Sequence, residues 1–272
     1  MRSSDRVLVC TAHPDDEMLI AGTLRRLCLA GVEVTLLCAT RGELGAIRDA
    51  AVADRATIDE VRAGELAASA AVIGIARVLQ FHYPDSEVEH WRGLLLGDIA
   101  AAISEIDPHL VITFGPDGVT RHGDHISVSR ATTDAVLAST AATGTARHLV
   151  YLGLPRPVAT RLVVDFLMPA HQAAAEGVTA ETGYENADEA TRQEWLTRLG
   201  CPPDELDLRV DVSDQLEAKA AVFRCHASQP GSEQAGGPLF RSLFAEEFFR
   251  TVIPPGVVPP QLETFVTQVV ST

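Results

Sequence analysis

The chain has 272 residues, 46% of them hydrophobic and 22% charged, a balance that excludes disordered and collagen-like classes. Its net charge of −15, from 22 basic against 37 acidic residues, argues against nucleic acid and anionic membrane surfaces as partners, because phosphate neutralisation needs a basic face. The length suits one large α/β domain or two small ones.

The first half alternates two patterns. Arg6–Cys10 reads as a strand, and Asp16–Ala30 follows as a helix with Met18, Leu19, Leu24 and Leu27 at helical spacing. Glu33–Ala39 is a second strand and the Ala-rich Asp54–Ile73 a second helix. Arg77–Phe81, then Trp91–Ile106 stopped by Pro108, repeat the pair. His109–Phe114, a helix over Asp124–Leu137, and the strand Arg147–Leu152 complete it. Strands alternating with helices of this length predict βαβ units and a mostly parallel sheet, and nearly all-apolar strands predict a sheet covered on both faces.

Beyond Leu152 the rhythm breaks at Pro155, Pro157 and Pro169. Thr179–Leu196 reads as a loop and a helix at the rim. Asp207–Val212 reads as a late strand, Gln215–Cys225 as a helix, Gln229–Pro238 as a loop of lid-like composition, and Leu239–Arg250 as a short helix. A short apolar helix or strand is expected after the prolines of the tail. No internal repeat or compositional break divides the chain. It is expected to be one domain, with 1–152 carrying the chemistry and 153–272 shaping the substrate site.

No apolar run approaches the roughly 20 residues of a membrane span, and Met1–Arg6 leads into a strand without the apolar core of a signal peptide. Cys10, Cys28, Cys38, Cys201 and Cys225 are odd in number, scattered, and include no CxxC, which predicts reduced thiols and a cytoplasmic protein. Lys219 is the only lysine, read here as the codon bias of a GC-rich genome.

Two strings carry chemistry. Ala12-His13-Pro14-Asp15-Asp16-Glu17 follows the first strand and opens the first helix. Acidic residues suit a helix N-terminus on their own, but His13 with Asp16 three residues on supplies an imidazole and a carboxylate from one turn, ligand types suited to zinc. Gly115-Pro116-Asp117-Gly118-Val119-Thr120-Arg121-His122-Gly123-Asp124-His125 follows the fourth strand. It places His122 and His125 on nearly one face of a helical turn. Both strings fall at the carboxyl ends of parallel strands, where open α/β sheets bind ligands.

AHPDDE after strand one, with the later PDGxxxHxDH, resembles the PIG-L/LmbE family of zinc-dependent N-acetylglucosaminide deacetylases. Thr40-Arg41-Gly42-Glu43, Arg62 with Glu65 and Leu66, Tyr83-Pro84-Asp85-Ser86, and Lys219 followed by His226-Ala227-Ser228-Gln229 resemble further blocks of that family. The resemblance implies a Rossmann-like α/β sheet with the metal at the strand ends. It implies Zn2+ held by His13, Asp16 and His125, and Asp15 as the general base. His122 would stabilise the tetrahedral intermediate and protonate the leaving amine, and Glu43, Arg62 and Asp85 would contact the sugar. It further implies hydrolysis of an N-acetyl or N-acyl group from a glucosamine-containing small glycoside or glycosylated natural product. A mycothiol-conjugate-type amidase and a non-catalytic metal- or carbohydrate-binding protein are the alternatives, and homo-oligomerisation stays open.

Departures from the family pattern concern substrate. Thr120 stands where some mycothiol-branch members carry a tyrosine. Arg121 and Gly123 replace the Gly and Pro of GHPDH, and Arg121 either meets an acidic substrate group or points to solvent. His82, His90, His109, His148 and His171 lack motif context and read as surface or core residues. Glu17 reads as a helix-start residue or one that supports the ligands from behind, not as a ligand, and Cys10 and Cys38 as packing. No GxSxG and no GxGxxG is present, which disfavours serine-hydrolase chemistry and dinucleotide binding.

Overall fold

The computed structural model describes residues 5–176, 189–266 and 268–269. Eight strands form one sheet in the order β3-β2-β1-β4-β5-β7-β6-β8. β1 (Arg6–Thr11), β2 (Glu33–Thr40), β3 (Arg77–Tyr83), β4 (Leu110–Phe114) and β5 (His148–Gly153) run parallel. β7 (Glu246–Ile253) pairs antiparallel with both β5 and β6 (Leu208–Asp211), and β8 (Gln268–Val269) closes the edge beside β6. Every residue of β4 is buried, as are Val7–Thr11 of β1, so apolar runs there are what a doubly covered sheet demands.

The helices are α1 (Ala21–Leu29), α2 (Ile58–Ile73), α3 (Val88–Ile106), the single turn α4 (Gly118–Arg121), α5 (Gly123–Thr143), α6 (Arg156–Arg161), α7 (Met168–Gln172), α8 (Glu189–Thr197), α9 (Leu216–Cys225) and α10 (Pro238–Phe244). α1, α2 and α9 pack on one another, and α3 packs along α5. From β1 the chain steps outward through β2 to β3, then returns to the other side of β1 as β4. The loops after β1 and β4 therefore face each other across a topological switch point.

Four expectations change. Asp16–Ala30 is not one helix: a 3-10 turn over Asp16–Ile20 precedes α1. The carboxylates of Asp16 and Glu17 fold back to accept backbone N–H groups of residues 12, 13 and 15, so the first turn serves the loop. The second helix begins at Ile58, not Asp54, because the Asp54 carboxylate caps a turn at Ala56 and Thr57. The helix expected over Leu239–Arg250 ends at Phe244, and the aromatic and β-branched run after it pairs as β7 between β5 and β6. The 229–238 loop packs inward: Gln229 and Ser232 are buried, and Gly231, at φ +92°, lies so close to the Phe166 ring that a Cβ would sit 2.8 Å from it. Residues 179–188 of the expected rim segment lie outside the described residues; its helix is α8.

The only lysine is wholly buried. Lys219 Nζ on α9 donates to Glu247 Oε1 of β7 at 2.5 Å and to the Leu19 carbonyl at 2.9 Å. Glu247 in turn accepts the N–H groups of Gly22 (2.9 Å) and Thr23 (2.8 Å), the free donors at the start of α1. One carboxylate thus ties α1, β7 and α9 together. Among the described residues no helix is long and apolar enough to cross a membrane.

Candidate metal centre and active site

His13 stands at the end of β1, and Asp16 one turn later. Asp16 Oδ2 accepts the N–H of Ala12 (3.0 Å) and of His13 (2.7 Å), which leaves Oδ1 facing His125 Nε2 at 3.1 Å. His125, on the first turn of α5, stacks on Phe114 with ring centroids 4.1 Å apart. Its Nδ1–H donates to the Gly118 carbonyl at 3.1 Å. That bond aims Nε2 at His13 Nδ1, 3.2 Å away. The Nε2–H of His13 faces outward to Asp124 Oδ2 at 3.1 Å and Asp85 Oδ1 at 3.2 Å.

Donor atoms therefore crowd together: His125 Nε2 lies 3.2 Å from His13 Nδ1 and 3.1 Å from Asp16 Oδ1, while the other Asp16 oxygen, Oδ2, lies 3.7 Å from His13 Nδ1. Donors at zinc bond lengths on a tetrahedron lie about 3.4 Å apart. Both imidazoles spend their other nitrogen on an oxygen partner, which fixes the tautomer and orients the ring as metal-binding histidines require. His13, His122 and His125 form an alternative grouping, as do His13, Asp85 and Asp124. The His/Asp cluster could hold a metal ion.

Electrostatics follow from the crowding. Burial by itself would depress His13, but hydrogen bonds to Asp124 and Asp85 hold it well above its ordinary value. Burial opposes ionisation of Asp16 too, and the adjacent His125 and His13 rings keep it well below the carboxylate range. Burial pushes Asp15 up to about 6, against the pull of Arg62. Burial and the neighbouring His13 and His125 push His122 down to about 3. His122 is neutral there. Its Nδ1 accepts the Asp124 N–H at 3.2 Å, so the ring proton sits on Nε2.

Asp15 is held from two sides. Arg62 Nη2 donates to Asp15 Oδ2 at 2.9 Å, and Arg62 also binds the Pro14 and Gly42 carbonyls. The Asp15 N–H donates to Glu17 Oε2 at 3.1 Å. Glu17 is fully buried and accepts in addition from Ser69 Oγ and from His226 Nε2, the latter at 2.6 Å. Asp15 adopts φ +121°, and Ser86, Val119 and Arg121 around the same cavity also have positive φ. Such conformations cost of order 1–3 kcal/mol each and persist where surrounding contacts dictate them.

The cluster opens on a cavity of about 810 Å³ lined by His13, Asp15, Asp16, Arg62, Asp85, His122 and His125, among others. Glu43 is not part of that lining; its Oε1 accepts the Asp85 N–H at 2.9 Å, so it braces Asp85. Asp124, His171 and His226 line the cavity without having been singled out as site residues from sequence. Asp124 sits inside the HxDH string and was readable there. His226 sits in the HxSQ block, whereas nothing in the sequence marked His171. Arg121 is exposed at the rim.

A family model described as GlcNAc-PI de-N-acetylase (PIG-L) matches residues 8–136. A 1D-myo-inositol 2-acetamido-2-deoxy-alpha-D-glucopyranoside deacetylase of Rhodococcus jostii is 31% identical over 277 residues, covering 91% of each chain. A second protein of that name, from Catenulispora acidiphila, is 33% identical over 256 residues, covering 82% of this chain and 79% of its own. The fold is similar to that of N,N'-diacetylchitobiose deacetylase from Pyrococcus horikoshii, with a TM-score of 0.62 at 18% identity over 95% of this chain and 85% of that one.

Proposed function

The chain belongs to the PIG-L family of de-N-acetylases, and from that premise we propose that it is a zinc-dependent hydrolase that removes the N-acetyl group from a glucosaminide. The observation that carries this is the clustering of His13 Nδ1, His125 Nε2 and the Asp16 carboxylate at contacts of 3.1–3.7 Å, beside a second carboxylate, Asp15, that Arg62 holds. His13, Asp16 and His125 would hold the zinc. Bound there, zinc supplies Lewis acidity toward the acetyl carbonyl and the attacking water.

The residues of the chain divide the remaining work. Asp15, with its carboxyl near 6, is poised to take the proton of the attacking water at neutral pH. Arg62 keeps that carboxylate turned toward the cavity. Of the two tasks expected of His122, its neutral ring favours one: the Nε2–H donates to the oxygen that becomes negative as the carbonyl turns tetrahedral. Asp15 then passes its proton to the departing nitrogen, the C–N bond breaks, and acetate and the free amine leave. Asp85, with Arg62, faces the sugar, and residues beyond 152 shape the rest of the cavity.

The test uses purified, zinc-loaded protein and a panel of N-acetylglucosaminides that includes the inositol glycoside named for the curated relatives. Free amine and acetate are scored by mass spectrometry. Release that stops with chelator and returns with zinc is expected; no release from any member overturns the reading. Asp15→Ala should lower kcat by about 10²–10⁴ while zinc content, measured on the protein, is unchanged.

A further inference from the structure

Part of the cavity wall is apolar. Met18, Leu167, Met168, Trp195, Phe166 and Phe244 all belong to its lining. Met18, Leu167, Met168 and Trp195 are only partly buried, so they present apolar surface to the cavity instead of spending all of it on the core. The composition is concentrated there: Met18 and Met168 are the only methionines after residue 1, and Trp195 is one of two tryptophans in a chain with 5% aromatic residues. Methionine and aromatic side chains supply adaptable apolar contact, and exposed apolar surface of this kind marks ligand grooves.

The backbone is built to make this wall. Between α6 and α7 the helix widens into a π-helical stretch over Leu162–Leu167, an arrangement frequent at functional sites. Leu162, Val163, Phe166 and Leu167 of that stretch all line the cavity. The volume, about 810 Å³, lies near the top of the roughly 300–1,000 Å³ range of pockets for drug-sized ligands, which leaves room for a large group beside one acetylated sugar.

We propose that the group on the anomeric carbon of the substrate is apolar, an alkyl or aromatic aglycone that lies on the Met18–Met168–Trp195 wall. The inference rests on the deacetylase reading above. It assigns the wall to the aglycone and not to a long N-acyl chain, because the amide must lie among His13, Asp15, Asp16, His122 and His125, where the surroundings are charged. A polyhydroxylated aglycone would leave its hydroxyls facing carbon on this wall, which costs affinity.

The experiment compares kcat/KM of the zinc-loaded protein on methyl, octyl and inositol glycosides of N-acetylglucosamine, and on the methyl glycoside of N-octanoylglucosamine. The expected result is at least a 10-fold advantage for the octyl over the methyl glycoside, carried mainly by KM. Met168→Asp and Trp195→Ser should each pull the octyl-to-methyl ratio toward one. Equal values for the octyl and methyl glycosides, a preference for the inositol glycoside, or a gain only with the N-octanoyl substrate overturns the proposal while deacetylation itself stands. Absence of turnover on every glycoside overturns the underlying reading instead. The wild-type ratios need no variant, so a variant that fails to fold leaves the test intact.

Discussion

Asp15 shows how much of a site is spent on one residue. Its backbone at φ +121° is a conformation that only dense contacts maintain, and Glu17 supplies one by accepting its N–H. Glu17 is itself fixed by Ser69 and by His226, 209 residues away in sequence. Removing one partner of a buried charge pair costs about 3–5 kcal/mol. Glu17→Ala should therefore lower the melting temperature by roughly 10 °C and reduce kcat more than KM, both read on one preparation by calorimetry and steady-state kinetics. Loss of stability with kcat intact would mean that the network does not position the base. His122→Ala removes the proposed oxyanion donor and should reduce kcat by about 10²–10³ with little change in KM. The charged members of these pairs were visible as AHPDDE and HxDH. The partnership of Glu17 with His226 was not, because it depends on α9 delivering its last turn to the start of the first helix.

At the scale of elements, α2 is the informative helix. Its buried face carries Ile58, Leu66, Ala70 and Ile73, but also Arg62, Glu65 and Ser69. The three polar residues serve Asp15, Ser228 and Glu17 respectively. A helix that buries ionisable groups at the spacing of its apolar stripe is positioning a site, and that pattern was present in the sequence. Gly42, at φ +67°, faces Arg62: a Cβ there would sit 2.1 Å from Nη1. Gly42→Ala should push the guanidinium off Asp15 and reduce turnover at least 10-fold, with zinc content unchanged as the control. The parallel strands were readable from sequence to within one or two residues; burial on both faces leaves little but apolar residues in β1, β2 and β4, whereas the edge strand β3 is only partly buried. The second half was not. The π-helical turn between α6 and α7 has no periodic signature, and β7 follows α10 with only Ala245 between them, so composition changes meaning inside a dozen residues.

For the whole molecule, the switch point between β1 and β4 gathers carboxylates and imidazoles close enough to share one cation. Zinc at 1,000 times its dissociation constant would add about 4 kcal/mol to the folded state, a rise on the order of 10 °C in melting temperature. Chelation should reverse it, and a His13→Ala variant should show neither shift. The acidic character read from composition says nothing about this cluster: its charge is local, and only the strand order brings residues 13–16 to residues 122–125. The two ligand strings could be paired from sequence because parallel α/β topology is restrictive. Which group covers the far wall depended on side-chain directions that no spacing rule reports.

The solitary lysine has a practical consequence. Its amine lies between α9, β7 and the start of α1, with no exposed surface. An amine-acylating reagent can reach it only when α9 lifts away, and α9 ends one residue before His226. The rate at which Lys219 acquires label therefore counts openings of the layer that backs Asp15, the proposed base. Peptide-mass measurement of the Lys219 segment over time, which separates its label from that on the chain's α-amine, turns this one side chain into a clock for local unfolding, with no engineered probe and no second lysine to confuse the reading.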